Sequence, residues 1–203
     1  MNLPPKYEEA LTELVNVAYG RAAASLSELT RERITLEVPK LEVHLLSELQ
    51  PELQLSYPGE VWSIHQVFTG GMSGHALLLV DEKSAKTLAA QIAGPDVENS
   101  DAMQEALTEA GNIVLQAALG VCGELLHIQV SFAVPGLRIN SLGAMLKSLV
   151  IHQTELQYAV LVRTKFQIIS KDVVGNMVVI LGVTSFTKLV EAVDDWEKRG
   201  LKS

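Results

Sequence analysis

A carboxylate and a carboxamide three residues apart occur twice in this chain, in register and 96 residues apart: Glu13 with Asn16, and Glu109 with Asn112. In each copy a proline follows the asparagine after 22 intervening residues, Pro39 in the first and Pro135 in the second. On a helix, at about 100° per residue, Glu9, Glu13 and Asn16 fall within about 60° of one another and form one displayed stripe. Glu105, Glu109 and Asn112 do the same. A carboxamide both donates and accepts hydrogen bonds, so it can hold a water molecule in one orientation, and a neighbouring carboxylate can pair with a cation on another molecule.

Other chemistry finds little support. The five histidines (His44, His65, His75, His127, His152) have no metal-ligand spacing and no cysteine partners, so no metal site is expected. Ser25 and Ser27 have no patterned histidine, and no Gly-x-Ser-x-Gly elbow occurs. Gly70 to Gly74 lacks the Gly-Lys-Ser/Thr ending of a phosphate loop and reads as a hairpin turn. Without a nucleophile, a metal cage or a general-base histidine, the chain suits a reaction whose substrate brings its own metal and labile bond and leaves the protein to position water.

The elements that must carry these residues are duplicated. Both copies contain the word EALTE, and residues 9–39 and 105–135 agree at 11 of 31 positions. Asparagine is a poor helix-interior residue, so propensity alone does not account for its retention in both. Opposite the polar stripe run Leu11, Leu14, Val15, Ala18, Ala22 and Leu29 in the first copy and Leu107, Ala110, Val114, Ala118, Val121 and Leu125 in the second, the pattern of two long amphipathic helices. Beyond Asn16 the displayed stripe shrinks to Gly20, Ala23, Ala24 and Ser27, small residues beside which another protein can approach closely. Gln116 stands in the second copy where Gly20 stands in the first, so the Asn16 site is expected to be the more active.

Asp101 and Gln104 read as an N-cap and its capping-box partner. Ile34 to Val38 and Val130 to Val134 read as strands ended by the shared prolines, which cannot donate to a ladder. Leu41 to Leu49 and Ser141 to Val150 read as short helices. Val61 to Phe68 and Leu77 to Val80 flank the Gly70–Gly74 turn, while Gln157 to Ile169 and Met177 to Leu181 flank a turn at Gly175 and Asn176, an offset of 101 residues that implies a five-residue insertion. Helices follow at Ser84 to Ile92 and Ser185 to Arg199. The expected fold is α+β: a pseudo-two-fold duplication, each half helix, strand, short helix, strand, strand, helix, with one mostly antiparallel sheet covered by helices and the two long helices on the surface.

These residues resemble the CheC/CheX/FliY family of chemotaxis phosphatases, whose signature is Asp or Ser, three residues, Glu, two residues, Asn, 22 residues, Pro. Two-site members carry it once in each half of a chain about this long, and the resemblance runs from Tyr7 to the last helix. The leading Asp or Ser is replaced by Glu9 and Glu105. The resemblance implies hydrolysis of the phosphoaspartate on a CheY-type receiver domain, which itself supplies Mg²⁺ and an active-site Lys; no cofactor is bound by this chain. It implies that Asn16 and Asn112 hold the attacking water in line, that Glu13 and Glu109 pair with the receiver's Lys, that Glu9 and Glu105 are peripheral contacts, and that Pro39 and Pro135 are structural; Gly20 and Gln116, one turn beyond each asparagine, then stand where a receiver backbone would approach. It also allows a CheD-type deamidase as partner. Two alternatives are a non-catalytic adaptor for a receiver domain or deamidase, and a structural protein like the flagellar switch proteins, which generally lack the paired Glu and Asn.

Length and charge agree with this reading. The 203 residues suffice for one well-buried domain, residues 1–203, with half-repeats at about 5–96 and 100–200. A net charge of −8 without a Lys/Arg cluster argues against nucleic acid. The lack of a long uncharged run and of a signal-peptide core gives the expectation of a cytoplasmic protein not inserted in a membrane. The single cysteine, Cys122, is expected to be a small buried residue, and Trp62 and Trp196 packing or surface anchors.

Overall fold

The computed structural model describes residues 4–94, 101–150, 156–168 and 171–200. In chain order the elements are α1 (Pro5–Thr30), β1 (Ile34–Leu45), α2 (Leu46–Gln54), β2 (Glu60–Gly70), β3 (Gly74–Val80), α3 (Glu82–Ala93), α4 (Asp101–Leu126), β4 (Val130–Phe132), β5 (Gly136–Ser141), α5 (Leu142–Val150), β6 (Leu156–Ile168), β7 (Lys171–Gly182) and α6 (Val183–Gly200). The chain is α+β as expected, with every strand pairing antiparallel.

The sheet runs β1-β6-β7-β3-β2-β4, with β5 also on β2. Exchanging each strand for its counterpart in the other half (β1 for β4 and β5, β2 for β6, β3 for β7) returns the same order read from the opposite edge. At the centre Leu77 pairs with Val178, 101 residues away, the same offset that relates β3 to β7. Each outer strand thus pairs with a strand of the other half, so neither half's sheet is continuous by itself.

Alternation along the strands divides the core in two. Ile64, Phe68, Leu78, Val160 and Val162 face α1, α3, α4 and α6. Val61, Leu77, Leu79, Leu161 and Val178 face the short helices α2 and α5. The apolar faces of α1 and α4 bury Leu11, Leu14, Val15, Ala18, Ala22, Leu107, Ala110, Val114, Ala118 and Val121. Leu125 is half-buried against the same core, and Trp62 and Trp196 pack there too. Leu29 departs from expectation: it is 40% exposed, and Leu26 takes the inward place in the last turn of α1. Both long helices end alike. Arg31 and His127, 96 residues apart, each adopt φ 56°, the left-handed conformation that terminates a helix. Asp101 falls in the first turn of α4.

Pro39 does not end its strand. β1 continues through Pro39 to Leu45, with a register shift between Glu37 and Lys40, so the following helix starts at Leu46 rather than Leu41. At Pro135 the counterpart divides into β4 and β5, bridged by Ala133 N–H donating to the Val67 carbonyl at 2.9 Å. Both are outermost strands, where one side of the backbone has no ladder partner and a missing donor is tolerated.

Gly175 and Asn176 are likewise not a turn. They lie within β7, opposite Thr164 and Arg163 of β6 and Val80 and Leu79 of β3. The β6–β7 hairpin closes beyond Ile168 and Lys171, and Ile169, the expected strand end, lies outside the described residues, as do His152 and the junction between the half-repeats. Trp62 faces Val80 and Tyr158 faces Leu181. The second pair is offset from the first by 96 residues on one strand and 101 on the other, which places the five-residue insertion in the hairpin.

Candidate functional site

The first site is built on the exposed side of α1. Pro5 sits in its first turn, where a missing backbone donor costs nothing. Lys6 and Tyr7 tie that turn to α6: Lys6 Nζ is 2.7 Å from Asp194 Oδ1, and Tyr7 Oη donates to Asp194 Oδ2 at 2.9 Å. These hydrogen bonds hold the Asp194 carboxyl below its usual range and raise the Lys6 ammonium. Farther along, Tyr19 is fully buried and hydrogen-bonds Thr164 of β6 at 2.8 Å, which fixes the rotation of α1 about its axis. Glu9, Glu13, Asn16 and Gly20 are consequently all exposed. Among the described residues, Asn16 has no side-chain hydrogen-bond partner and neither Glu9 nor Glu13 has an ion-pair partner. A Cβ built on Gly20 would meet nothing within 4 Å.

Ser27, read as part of the displayed stripe, is engaged internally. Its hydroxyl donates to the Ala23 carbonyl at 2.6 Å and accepts from Ile34 N–H at 2.9 Å, anchoring β1 to α1.

The second site, on α4, differs. Glu105, Glu109 and Gln116 are exposed, but Asn112 is half-buried. Its Oδ1 accepts two hydrogen bonds, one from Gln116 Nε2 at 2.6 Å and one from Gln66 Nε2 at 3.3 Å. Gln116, expected to face a partner, turns its amide back along the helix instead. Gln66 was not singled out from the sequence. It is fully buried on β2, and its Nε2 also donates to the Ala133 carbonyl at 2.9 Å. The signal for it was legible: a glutamine occupies an inward position between Ile64 and Phe68. Its counterpart 96 residues on is Val162, so Asn16 has no amide behind it.

The cause is the adjacent residue. Gly111 brings α4 down onto β2, and a Cβ there would lie 2.6 Å from Ile64 Cβ and Cγ2. The corresponding position on α1 is the buried Val15, whose side chain occupies that space.

Among the described residues no group of three His, Cys, Asp or Glu side chains is placed to hold a metal ion. His65 and His75 stack, with Nε2 and Nδ1 2.8 Å apart. Burial, the His75 ring and Arg138 lower His65 to about 4, so it is neutral at neutral pH. Burial pushes the Cys122 thiol up to about 12, far from a reactive thiolate. By length and composition α4 alone among the described helices is apolar enough to cross a membrane, but half of that stretch is buried against the sheet and neighbouring helices.

Over 198 residues the chain is 23% identical to the CheY-P phosphatase CheC of Bacillus subtilis, an alignment spanning 91% of this chain and 92% of that protein. It is also 26% identical over 110 residues to the flagellar motor switch phosphatase FliY of B. subtilis, covering 50% of this chain but only 28% of FliY's length. The chain is thus similar in sequence to named CheC and FliY phosphatases. In fold it is similar to Thermotoga maritima FliY, with a TM-score of 0.76 at 19% identity over 97% of this chain and 100% of that one. The FliM middle domain of H. pylori is similar too, with a TM-score of 0.67 at 13% identity over 94% and 99% of the two chains. No family model matches the chain.

Proposed function

We propose that this chain hydrolyses the phosphoaspartate of a CheY-type receiver domain. The reading rests on one observation above others: an exposed carboxamide, Asn16, with no hydrogen-bond partner among the described residues, stands one turn beyond an exposed carboxylate, Glu13, on a helix fixed at its first turn and by a buried tyrosine. The near full-length likeness to CheC supports it.

The substrate brings the Mg²⁺ that neutralises phosphoryl charge and an acyl phosphate that is already reactive. What is left for the protein is alignment, and holding a nucleophile in line is a large share of catalysis when the leaving group is good. Asn16 Oδ1 accepts a hydrogen bond from the water while the water's lone pair points at phosphorus. Glu13 pairs with the receiver's Lys and so sets the depth to which Asn16 enters. Glu9 lies one turn earlier, at the rim, and Gly20 leaves space for the receiver backbone. Glu109, Asn112 and Glu105 occupy the matching positions of the second site, with Gln116 in place of Gly20. Such a substrate places the chain in the cytoplasm.

The test is turnover. A receiver charged with acetyl phosphate and Mg²⁺ is mixed with one-hundredth its concentration of this chain, and phosphoaspartate decay is followed. Acceleration over many equivalents supports the reading. Stoichiometric binding with an unchanged lifetime overturns it in favour of an adaptor, for which a CheD-type deamidase is then the partner to try.

A further inference from the structure

Asn112 Oδ1 has two lone pairs, and both are occupied in this structure, one by Gln116 Nε2 at 2.6 Å and one by Gln66 Nε2 at 3.3 Å. The carboxamide that remains is a donor only. That polarity is wrong for orienting a nucleophilic water: the water's protons need an acceptor so that its lone pair is free for phosphorus, and an N–H pointed at the water competes for that lone pair. Asn16 is under no such constraint, since Gly20 and Val162 stand where Gln116 and Gln66 stand in the other half.

We infer that Gln116 is a latch that holds the second site in a low-activity state, with Gln66 as its fixed counterpart. This rests on the phosphatase reading of the site. The two amides are not equivalent. Gln66 is fully buried and also held by the Ala133 carbonyl at 2.9 Å, so it cannot withdraw without leaving polar groups unpaired. Its own Oε1 is already buried without a protein partner. Gln116 is exposed and free to swing outward when a docked receiver offers its amide other partners. The first site is therefore constitutively open, and the second opens on engagement.

The test uses the full chain carrying Asn16→Ala, so that only the second site reports. Gln116→Met keeps the side chain's length and bulk but removes the donor, whereas Gln116→Gly removes both. With an acetyl phosphate-charged receiver, Gln116→Met is expected to raise kcat about five-fold with KM within about two-fold, as loss of one modest hydrogen bond permits. In parallel, ¹⁵N relaxation of the Asn112 carboxamide is expected to show a lower order parameter with Met than with Gln116, the amide then being held by Gln66 alone. A gain from Gly but not Met makes steric bulk, not the hydrogen bond, the restraint and overturns the latch. An Asn112 amide equally mobile with Gln116 and with Met overturns it also, whether or not the receiver is dephosphorylated. A chain with native residues at 16, 112 and 116 that never shortens the phosphoaspartate lifetime overturns the phosphatase reading itself; an active chain in which Gln116→Met gives no gain overturns the latch alone.

Discussion

Gly111 lies so close to Ile64 that no side chain fits between α4 and β2, whereas Val15 fills the corresponding space under α1. One glycine thus makes the two halves unequal: it sinks α4 toward the sheet and brings Asn112 within reach of Gln66. Gly111→Ala forces a Cβ against Ile64 Cβ, an immovable neighbour. Overpacking of this kind costs about 1–3 kcal/mol, offset by up to about 1 kcal/mol of helix propensity. The expected net result is a destabilisation of about 1–2 kcal/mol in urea unfolding, with second-site activity lost before first-site activity. An unchanged midpoint would show that α4 does not rest on β2 at this point.

Behind the sheet a short buried relay replaces the expected turn at Asn176. Asn176 Nδ2 donates to Tyr57 Oη at 2.9 Å, and Tyr57 Oη donates to the Leu79 carbonyl at 2.9 Å. Both residues are buried, and burial raises the Tyr57 phenol well above its usual range. Tyr57→Phe leaves the Asn176 amide unpaired, at a cost of about 1–3 kcal/mol. Tyr57→Phe combined with Asn176→Leu is expected to recover part of that loss in equilibrium unfolding; a double variant no more stable than Tyr57→Phe alone contradicts the relay.

The long helices were legible in the sequence because their apolar positions recur at helical spacing over seven turns and their polar stripes are duplicated. Pro39 misled because a missing donor reads as a strand end, while the sheet places it in an outermost strand that accommodates it by a register shift; before Pro135 the strand does break. Gly175-Asn176 has turn composition, and only the ladder partners and Tyr57 show why the chain stays extended there. For the site, both Glu/Asn pairs were legible. A difference between them was legible in Gly20 against Gln116, but the hold of Gln66 on Asn112 was not, since it depends on Gly111 meeting Ile64 and on Gln66 reaching across from another element. A glutamine in an inward strand position was the available clue.

The His65–His75 pair gives stability an acid limb. His65 is lowered in the folded chain to about 4 from an ordinary value near 6.5. The unfolded chain therefore binds the proton more readily between these values. Its contribution is complete above about pH 6.5 and is lost as pH falls toward 4. Urea midpoints measured from pH 7 to pH 4 are expected to decline, and His65→Gln is expected to flatten that decline. An identical slope in the variant would assign the acid limb to other groups.

Glu13 separates anchoring from chemistry. In a chain carrying Asn112→Ala, Glu13→Lys sets like charges against the receiver's Lys. KM is expected to rise about ten-fold or more, with most of kcat recovered at saturating receiver. A collapse of kcat at unchanged KM would give Glu13 a part in the chemical step.

The most direct measurement replaces both carboxamides. Asn16→Ala and Asn112→Ala together remove the groups proposed to orient water while leaving Glu13, Glu109 and the fold in place, and alanine favours both helices by a few tenths of a kcal/mol. With circular dichroism unchanged and the receiver still bound, the double variant is expected to leave the phosphoaspartate lifetime at its spontaneous value. A double variant that still accelerates the decay contradicts the account.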